Sequence, residues 1–312
     1  MKIFKNLDIP KNYKNSALAI GNFDGVHKGH KKVFIETKKF AKKNKIKFGV
    51  LTFNPLPVMF FNKKVKNFRL SSESEKLKIF KKNKVNFTIN INFNKKFSKI
   101  KPDDFLKKII YKKIKPKLLA VSNNFRFGQK RKGNTSLLKK FSSRYSYNLL
   151  NTTPLKHAGK IISSTKIRKL LKNGNITLAN KLLSRTWFIE GKVKKGKRLG
   201  RKLGYRTCNI FINNYIIPKI GIYAVKVSIG SKNKKYGGVA YLGSRPTFKG
   251  KKTFLEVYLL NVDKNLYGKK LRVYFLKFLR KDQKFSNSEQ LIRQMNKDVI
   301  SAKKGLKTKL IL

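Results

Sequence analysis

The sequence predicts an α/β protein in two parts: an N-terminal doubly wound parallel sheet over residues 1–184, then a small C-terminal β-barrel with a terminal helix over residues 185–312. Three observations predict this. At 312 residues the chain is about twice the usual length of one domain. Residues 16 to 184 alternate short apolar runs with helical stretches. From residue 187 on, strand-like runs follow one another across Gly, Asn, Asp and Lys turns, with little helix between.

In the first part, "SALAIGN", "KFGVLTF", "NFTININ" and "KLLAVS" are short, apolar and bounded by turn residues, as parallel strands buried on both faces should be. Between them, "SSESEKLKIFKK" offers a capping box at Ser72 and Glu75, and "KPDDFLKKIIYKK" opens on Pro102 and two aspartates suited to a helix N-terminus. In the second part, "WFIEGKV", "GIYAVKVSI", "YGGVAYLG", "TFLEVYLL" and "LRVYFLKFL" are the strand candidates. The tail "SNSEQLIRQMNKDVISAKKG" has a polar start, helical spacing and a stop at Gly305, so it reads as one helix packed on the barrel.

The formal charge is +65, from 78 basic and 13 acidic residues. Only 13 of the basic residues are arginine, and the lysines are spread along the chain with abundant Asn, Ile and 24 Phe against 8 Pro. These residues share AT-rich codons, so genomic base composition explains the charge more simply than a nucleic-acid reader, whose basic residues cluster. Nonspecific nucleic-acid contact is the expectation. Retained arginines then mark places that need a planar, bidentate donor: Arg126, Arg168, Arg198, Arg201, Arg245 and Arg280 all fall in motifs. The single cysteine, Cys208, excludes an intrachain disulfide framework and a multi-cysteine zinc site, which points to a reducing cytoplasm. No apolar run reaches the ~20 residues of a membrane span, and "MKIFKNLDIPKNYK" has no signal-peptide character.

The chemistry begins at "GNFDGVHKGH". A glycine turn after a strand leads into a helix expected to start near Val26, which puts His27 and His30 on one face of its first turn. A helix N-terminus favours phosphate, and two histidines there can stabilise charge as pyrophosphate leaves. In "SSTKIR", Ser164 and Thr165 would cap a helix opening at Lys166, with Arg168 forking onto phosphate oxygens. Asn124 follows the "LLAVS" strand at the carboxyl edge, where open α/β sheets bind ligands. "GKVKKGK" is not a P-loop, because Arg198 stands where Ser or Thr is required and no helix follows.

These motifs, with "TFNPLPVMFF", "RLSSESEK", "NNFRFGQKRKGN" and "GKVKKGKRLGRKLGYRTCNIFI", resemble in order the bifunctional riboflavin kinase/FAD synthetase family over about residues 16 to 304. The resemblance implies a nucleotidyltransferase domain that adenylylates FMN to FAD and a barrel that phosphorylates riboflavin to FMN. ATP and Mg²⁺ serve both, and the partners are riboflavin, FMN and ATP, bound by a monomer or weak oligomer. It implies catalytic roles for His27, His30 and Glu256. Nucleotide contacts fall to Gly21, Phe23, Asp24, Asn124, Ser164, Thr165, Arg168, Gly196, Gly200, Arg201 and Gly204. Thr207 and Asn209 would hold the metal, and Tyr267 and Arg280 the flavin. The chain departs from the family pattern at Leu56, Ser122, Arg206, Cys208 and Tyr241. Two rival readings stay open at this point: adenylyl transfer alone with a decayed barrel, and a basic RNA-binding protein.

Overall fold

A strand whose every residue is apolar needs cover on both faces, and the four buried runs of the first half receive it. The computed structural model describes residues 1–196, 203–212, 214–230, 234–247 and 250–306. They pack as two compact units: Met1–Lys66 with Ser72–Ser163, and Asn67–Ser71 with Ser164–Leu312.

The first unit holds a six-stranded parallel sheet of β1 (Lys2–Phe4), β2 (Ala17–Ile20), β3 (Phe48–Asn54), β4 (Phe87–Asn92), β5 (Leu118–Ser122) and β6 (Asn148–Thr152), ordered β1-β4-β3-β2-β5-β6. Successive side chains on a strand alternate between faces, so the buried runs feed two separate cores. Leu18, Ile20, Leu51, Phe53, Leu119 and Val121 enter one. Ala17, Ala19, Phe48, Val50 and Ala120 enter the other.

Helix α1 (Lys28–Lys43) covers the second core with Val33, Phe34 and Ala41. Short helices α2 (Pro57–Phe61), α3 (Glu73–Lys82) and α4 (Lys95–Ser98) follow. Ser72 caps α3 by accepting from the Glu75 N–H at 3.1 Å, as the capping box predicts. Helix α5 starts as Pro102–Asp104 and winds on as a wider π-helix over Phe105–Ile114, covering the first core with Phe105, Leu106, Ile109 and Ile110. Helix α6 (Thr135–Lys140) and the two-stranded β7 (Lys156–His157) and β8 (Lys160–Ile161) complete the unit. The strand order reverses at β2, which β3 and β5 flank on opposite sides. Such a switch point opens a crevice at the carboxyl ends of its strands. The "GNFDG" turn after β2 and the Asn123–Asn124 turn after β5 both lie there.

In the second unit, α7 (Ser164–Lys172) and α8 (Ile176–Leu183) precede a closed antiparallel barrel. Its strands are β9 (Phe188–Lys194), β10 (Thr207–Phe211), β11 (Gly221–Ile229), β12 (Lys235–Thr247), β13 (Gly250–Leu259) and β14 (Lys270–Arg280), ordered β10-β13-β12-β11-β14-β9. Pairing of β9 with β10 closes the ring and removes the edges. Leu255, Val257, Ala240, Leu242, Val225, Val273 and Phe275 are fully buried. Buried Trp187 donates its N–H to Asn180 Oδ1 and its indole N–H to the Leu70 carbonyl, which ties the segment 67–71 into this unit. Helix α9 (Ser288–Gly305) ends at the expected glycine and lies on β11, β12 and β14. Among the described residues no helix is long and apolar enough to cross a membrane.

Two expected helix starts are corrected. Helix α1 opens at Lys28, not Val26, because Val26 has φ +36°, a left-handed conformation that no α-helix contains. Helix α7 opens at Ser164, so Ser164 and Thr165 are its first two residues and not its caps.

Candidate active sites

In the first unit the turn after β2 is built from left-handed residues. Phe23, Gly25 and Val26 have φ of +48°, +79° and +36°. A β-branched residue there costs energy, and such strain gathers at functional sites. The turn buries Phe23, Asp24 and Val26 and delivers His27 as the N-cap of α1. His27 Nδ1 accepts the His30 N–H at 3.4 Å, so the neutral ring carries its proton on Nε2. The two imidazoles stack with centroids 3.6 Å apart, and His30 meets the Phe23 ring edge-on at 5.2 Å. Among the described residues no acidic side chain lies in the first turn of α1, while buried Asp24 stands in the turn just before it.

Gly29, between the histidines, is a close-packing position: a Cβ there would sit 3.1 Å from His27 and 3.4 Å from the Ile162 carbonyl. The backbone just ahead of the "SST" segment therefore passes the histidine pair. Gly21 likewise leaves room for the Phe23 ring, 3.1 Å from where its Cβ would be. Across the switch point, Ser122 donates its hydroxyl to Asn124 Oδ1 at 2.8 Å. Leu56 is the buried N-cap of α2. Ser164, Thr165 and Arg168 belong to the second unit, where Arg168 Nε donates to the Phe68 carbonyl at 2.9 Å and the guanidinium stacks 3.6 Å over the Phe68 ring.

The barrel assembles its own set. Lys194, Asn209, Glu256, Tyr241, Ile222 and Arg280 are successive directly paired residues around the ring, from β9 through β10, β13, β12 and β11 to β14. One row thus aligns Asn209, Glu256 and Arg280, which the sequence separates by 71 residues (280 − 209). Thr207 shares the Asn209 face of β10 and Cys208 points the other way. A cavity of about 340 Å³ opens beside the row, lined by Thr207, Tyr241, Glu256 and Arg280, the apolar Val239 and Tyr258, and Leu291, Met295 and Val299 of α9. Apolar walls with a few convergent polar groups suit a flat heteroaromatic ligand.

Arg280 lines this cavity, but its fork is engaged by buried Asp298, with Nε donating to Oδ1 at 2.7 Å and an Nη to Oδ2 at 2.6 Å. Gln294 donates to the same carboxylate at 3.0 Å. Tyr267 sits in the turn before β14, exposed, and does not line the cavity. A Cβ on Gly196 would fall 2.4 Å from Asn209 Nδ2, so the turn after β9 lies directly on that side chain. Gly204 has φ +81° in the turn before β10. Gly200, Arg201 and Arg198 lie outside the described residues. Arg206 is ion-paired with Asp263. Sequence reasoning missed Asp298, the α9 wall and Tyr205, which also lines the cavity and donates its hydroxyl to Asn296 Oδ1 of α9 at 2.7 Å. The signal for Asp298 is an acid at helical spacing from the apolar Leu291 and Met295, on a helix whose other acid, Glu289, lies in its first turn; the barrel closure that buries it leaves no local mark.

Residues 9–166 match the family model described as FAD synthetase, and residues 183–306 that described as riboflavin kinase. The bifunctional riboflavin kinase/FMN adenylyltransferase of Buchnera aphidicola subsp. Schizaphis graminum (strain Sg) is 39% identical, over 97% of this chain and 98% of its own. The chain belongs to that family.

As a member of that family, it carries both the FAD synthetase and the riboflavin kinase domain in one polypeptide. The Escherichia coli (strain K12) member is 34% identical, over 92% of this chain and 91% of its own. A crystal structure described as a macrolide-efflux protein from Streptococcus pneumoniae superposes with TM-score 0.86 at 27% identity, covering 96% of this chain and 98% of that one. Riboflavin, FMN and ATP are the substrates that fit this family's enzymes.

Proposed function

We propose that the barrel cavity is where riboflavin is phosphorylated, and that the β2/β5 crevice with the histidine pair is where FMN is adenylylated. The observation that supports the first assignment is Glu256 and Tyr241 at the wall of an apolar cavity, with Asn209 paired to Glu256 in the same row. Glu256 accepts the proton of the riboflavin 5′-hydroxyl while that oxygen bonds to the γ-phosphorus of ATP, the bond to the β-phosphate oxygen breaks, and ADP leaves. Thr207 and Asn209 present hard oxygen donors on one face of β10, and the close approach of Gly196 forms a cradle over Asn209. That set fits Mg²⁺ arriving with ATP, since Mg²⁺ usually takes few protein ligands beside phosphate oxygens. Bound there, it would neutralise the charge of the β- and γ-phosphates.

In the N-terminal reaction a phosphate oxygen of FMN attacks the α-phosphorus of ATP, the bond to the β-phosphate breaks, and pyrophosphate leaves. His27, His30 and the N-terminus of α1 hold the charge that develops on the phosphates. Asn124, held by Ser122, would orient the nucleotide or flavin. Ser164, Thr165 and Arg168, at the start of α7, are assigned to nucleotide binding. Residues 1–184 are assigned to adenylylation and 185–312 to phosphorylation. Arg280 and Tyr267 are assigned to the flavin side of the kinase, with Arg280 acting through its bond to Asp298. A cytoplasmic setting suits an ATP-consuming chain with one cysteine, as a monomer or weak oligomer, and its charge of +65 supports only nonspecific nucleic-acid contact.

The test is incubation of the full chain with riboflavin, ATP and Mg²⁺, with the flavins separated by chromatography. FMN and FAD are expected from the natural sequence. Glu256→Gln should lose about 10²- to 10⁴-fold in FMN formation while still converting supplied FMN to FAD. A variant that phosphorylates riboflavin normally removes Glu256 from its role.

A further inference from the structure

The mouth of the kinase cavity is crossed by a hydrogen bond that the catalytic set does not use. Tyr241, on β12 directly opposite Glu256, donates its hydroxyl to Asp282 Oδ2 at 2.7 Å. Asp282 follows the end of β14, and β11 lies between β12 and β14. The bond therefore spans a whole strand. Both residues line the cavity, together with Gln283 and Phe285 of the same segment.

That segment is irregular and mostly exposed, so few contacts hold it. Arg280 supports it from below, donating to the Lys281 carbonyl at 3.0 Å and to Gln283 Oε1 at 3.4 Å, with its guanidinium 5.9 Å from the Phe285 ring. Asp282 Oδ1 accepts the Gln283 N–H at 2.9 Å, leaving Oδ2 for Tyr241. Tyr241 is itself steadied by the Phe254 ring, edge-on at 5.6 Å. A rigid aromatic on the barrel wall thus grips the free side of the segment that forms the opposite lip.

We propose that Tyr241 is a positioning residue for flavin binding: through Asp282 it fixes the 281–285 segment across the cavity mouth and so sets the width of the slot that the flavin ring enters. This rests on the barrel cavity being the riboflavin site. The role concerns binding and not the transfer step, because the hydroxyl is committed to the lip and not to the reacting oxygen.

The experiment titrates riboflavin by quenching of its fluorescence and measures its phosphorylation, on the full chain and on Tyr241→Phe, Asp282→Ala and the double variant. Tyr241→Phe keeps the ring and removes only the hydroxyl. Each single change should raise the riboflavin Kd and KM about three- to tenfold, with kcat within about twofold. The double variant should be no weaker than Asp282→Ala, since that change already removes the Tyr241 bond along with the bond to the Gln283 N–H. Unchanged affinity in Tyr241→Phe, effects that multiply in the double variant, or an equal loss in kcat overturns the proposal. If the natural chain itself neither binds nor phosphorylates riboflavin, the reading of the cavity falls and this proposal falls with it. Normal turnover by the natural chain with an indifferent Tyr241→Phe overturns this proposal alone.

Discussion

His27 lies face to face with His30, the rings 21° from parallel, while its Nδ1 accepts the His30 backbone N–H. The helix cap and the stacked histidine pair are therefore one device. Replacing His27 removes a ring and also loosens the first turn, whereas His30→Ala removes a ring and leaves the His27 cap in place.

From this arrangement, His27→Ala with His30→Ala should cut FAD formation from supplied FMN by about 10²- to 10⁴-fold. FMN formation from riboflavin should persist. His27→Asn should recover the cap, seen as restored thermal stability, without recovering adenylylation. Loss of both activities in a folded double variant would show that the two reactions are not divided as assigned.

Gly196→Ala places a methyl group on Asn209, whose side chain would have to move. Riboflavin phosphorylation should then need more Mg²⁺ and ATP, with KM for ATP rising about threefold to tenfold. Adenylylation of FMN should be unaffected. An unchanged Mg²⁺ titration of the kinase reaction would dissociate Asn209 from the metal.

Glu190, on β9, accepts from Arg272 at 2.7 Å and from Lys270 at 2.5 Å. Burial works to raise its pKa, but the hydrogen bonds and charges of Lys270 and Arg272 outweigh it, and the carboxyl is held below its ordinary range. A depressed folded-state pKa stabilises the fold fully above the unfolded value of about 4.3, and that gain is lost as pH falls through the folded value. Because Lys270 is half exposed, Glu190→Gln should cost only about 1 kcal/mol at neutral pH. The Tm difference between the natural chain and this variant should narrow as the pH is lowered into the acid range; a difference that does not narrow would assign the loss to packing.

Burial pushes the Cys208 thiol up to about 11. Its thiolate is therefore scarce at neutral pH, and iodoacetamide should label it at pH 8 about a hundredfold more slowly than an ordinary exposed cysteine. The rate should climb about tenfold per pH unit towards 11. Fast labelling at pH 8 would show that the thiol is open to solvent.

The sequence by itself determined the two-part architecture. Strands buried on both faces must be apolar throughout, and barrel strands must come in quick succession, so both patterns are written locally. It also marked the histidine pair, Asn124, Thr207, Asn209 and Glu256, because turns, caps and motif spacing act over a few residues. It did not reveal β1 or β6, edge strands whose pairing depends on distant partners. The start of α1 was misplaced because the left-handed Val26 is imposed by the packed turn around it and not by a valine preference. Only the tertiary structure decided that Arg280 serves Asp298, that Tyr241 reaches over β11 to Asp282, and that Glu256 faces Asn209 on one side and Tyr241 on the other. Register around a closed barrel is set by all six strands together, and no stretch of sequence carries it alone.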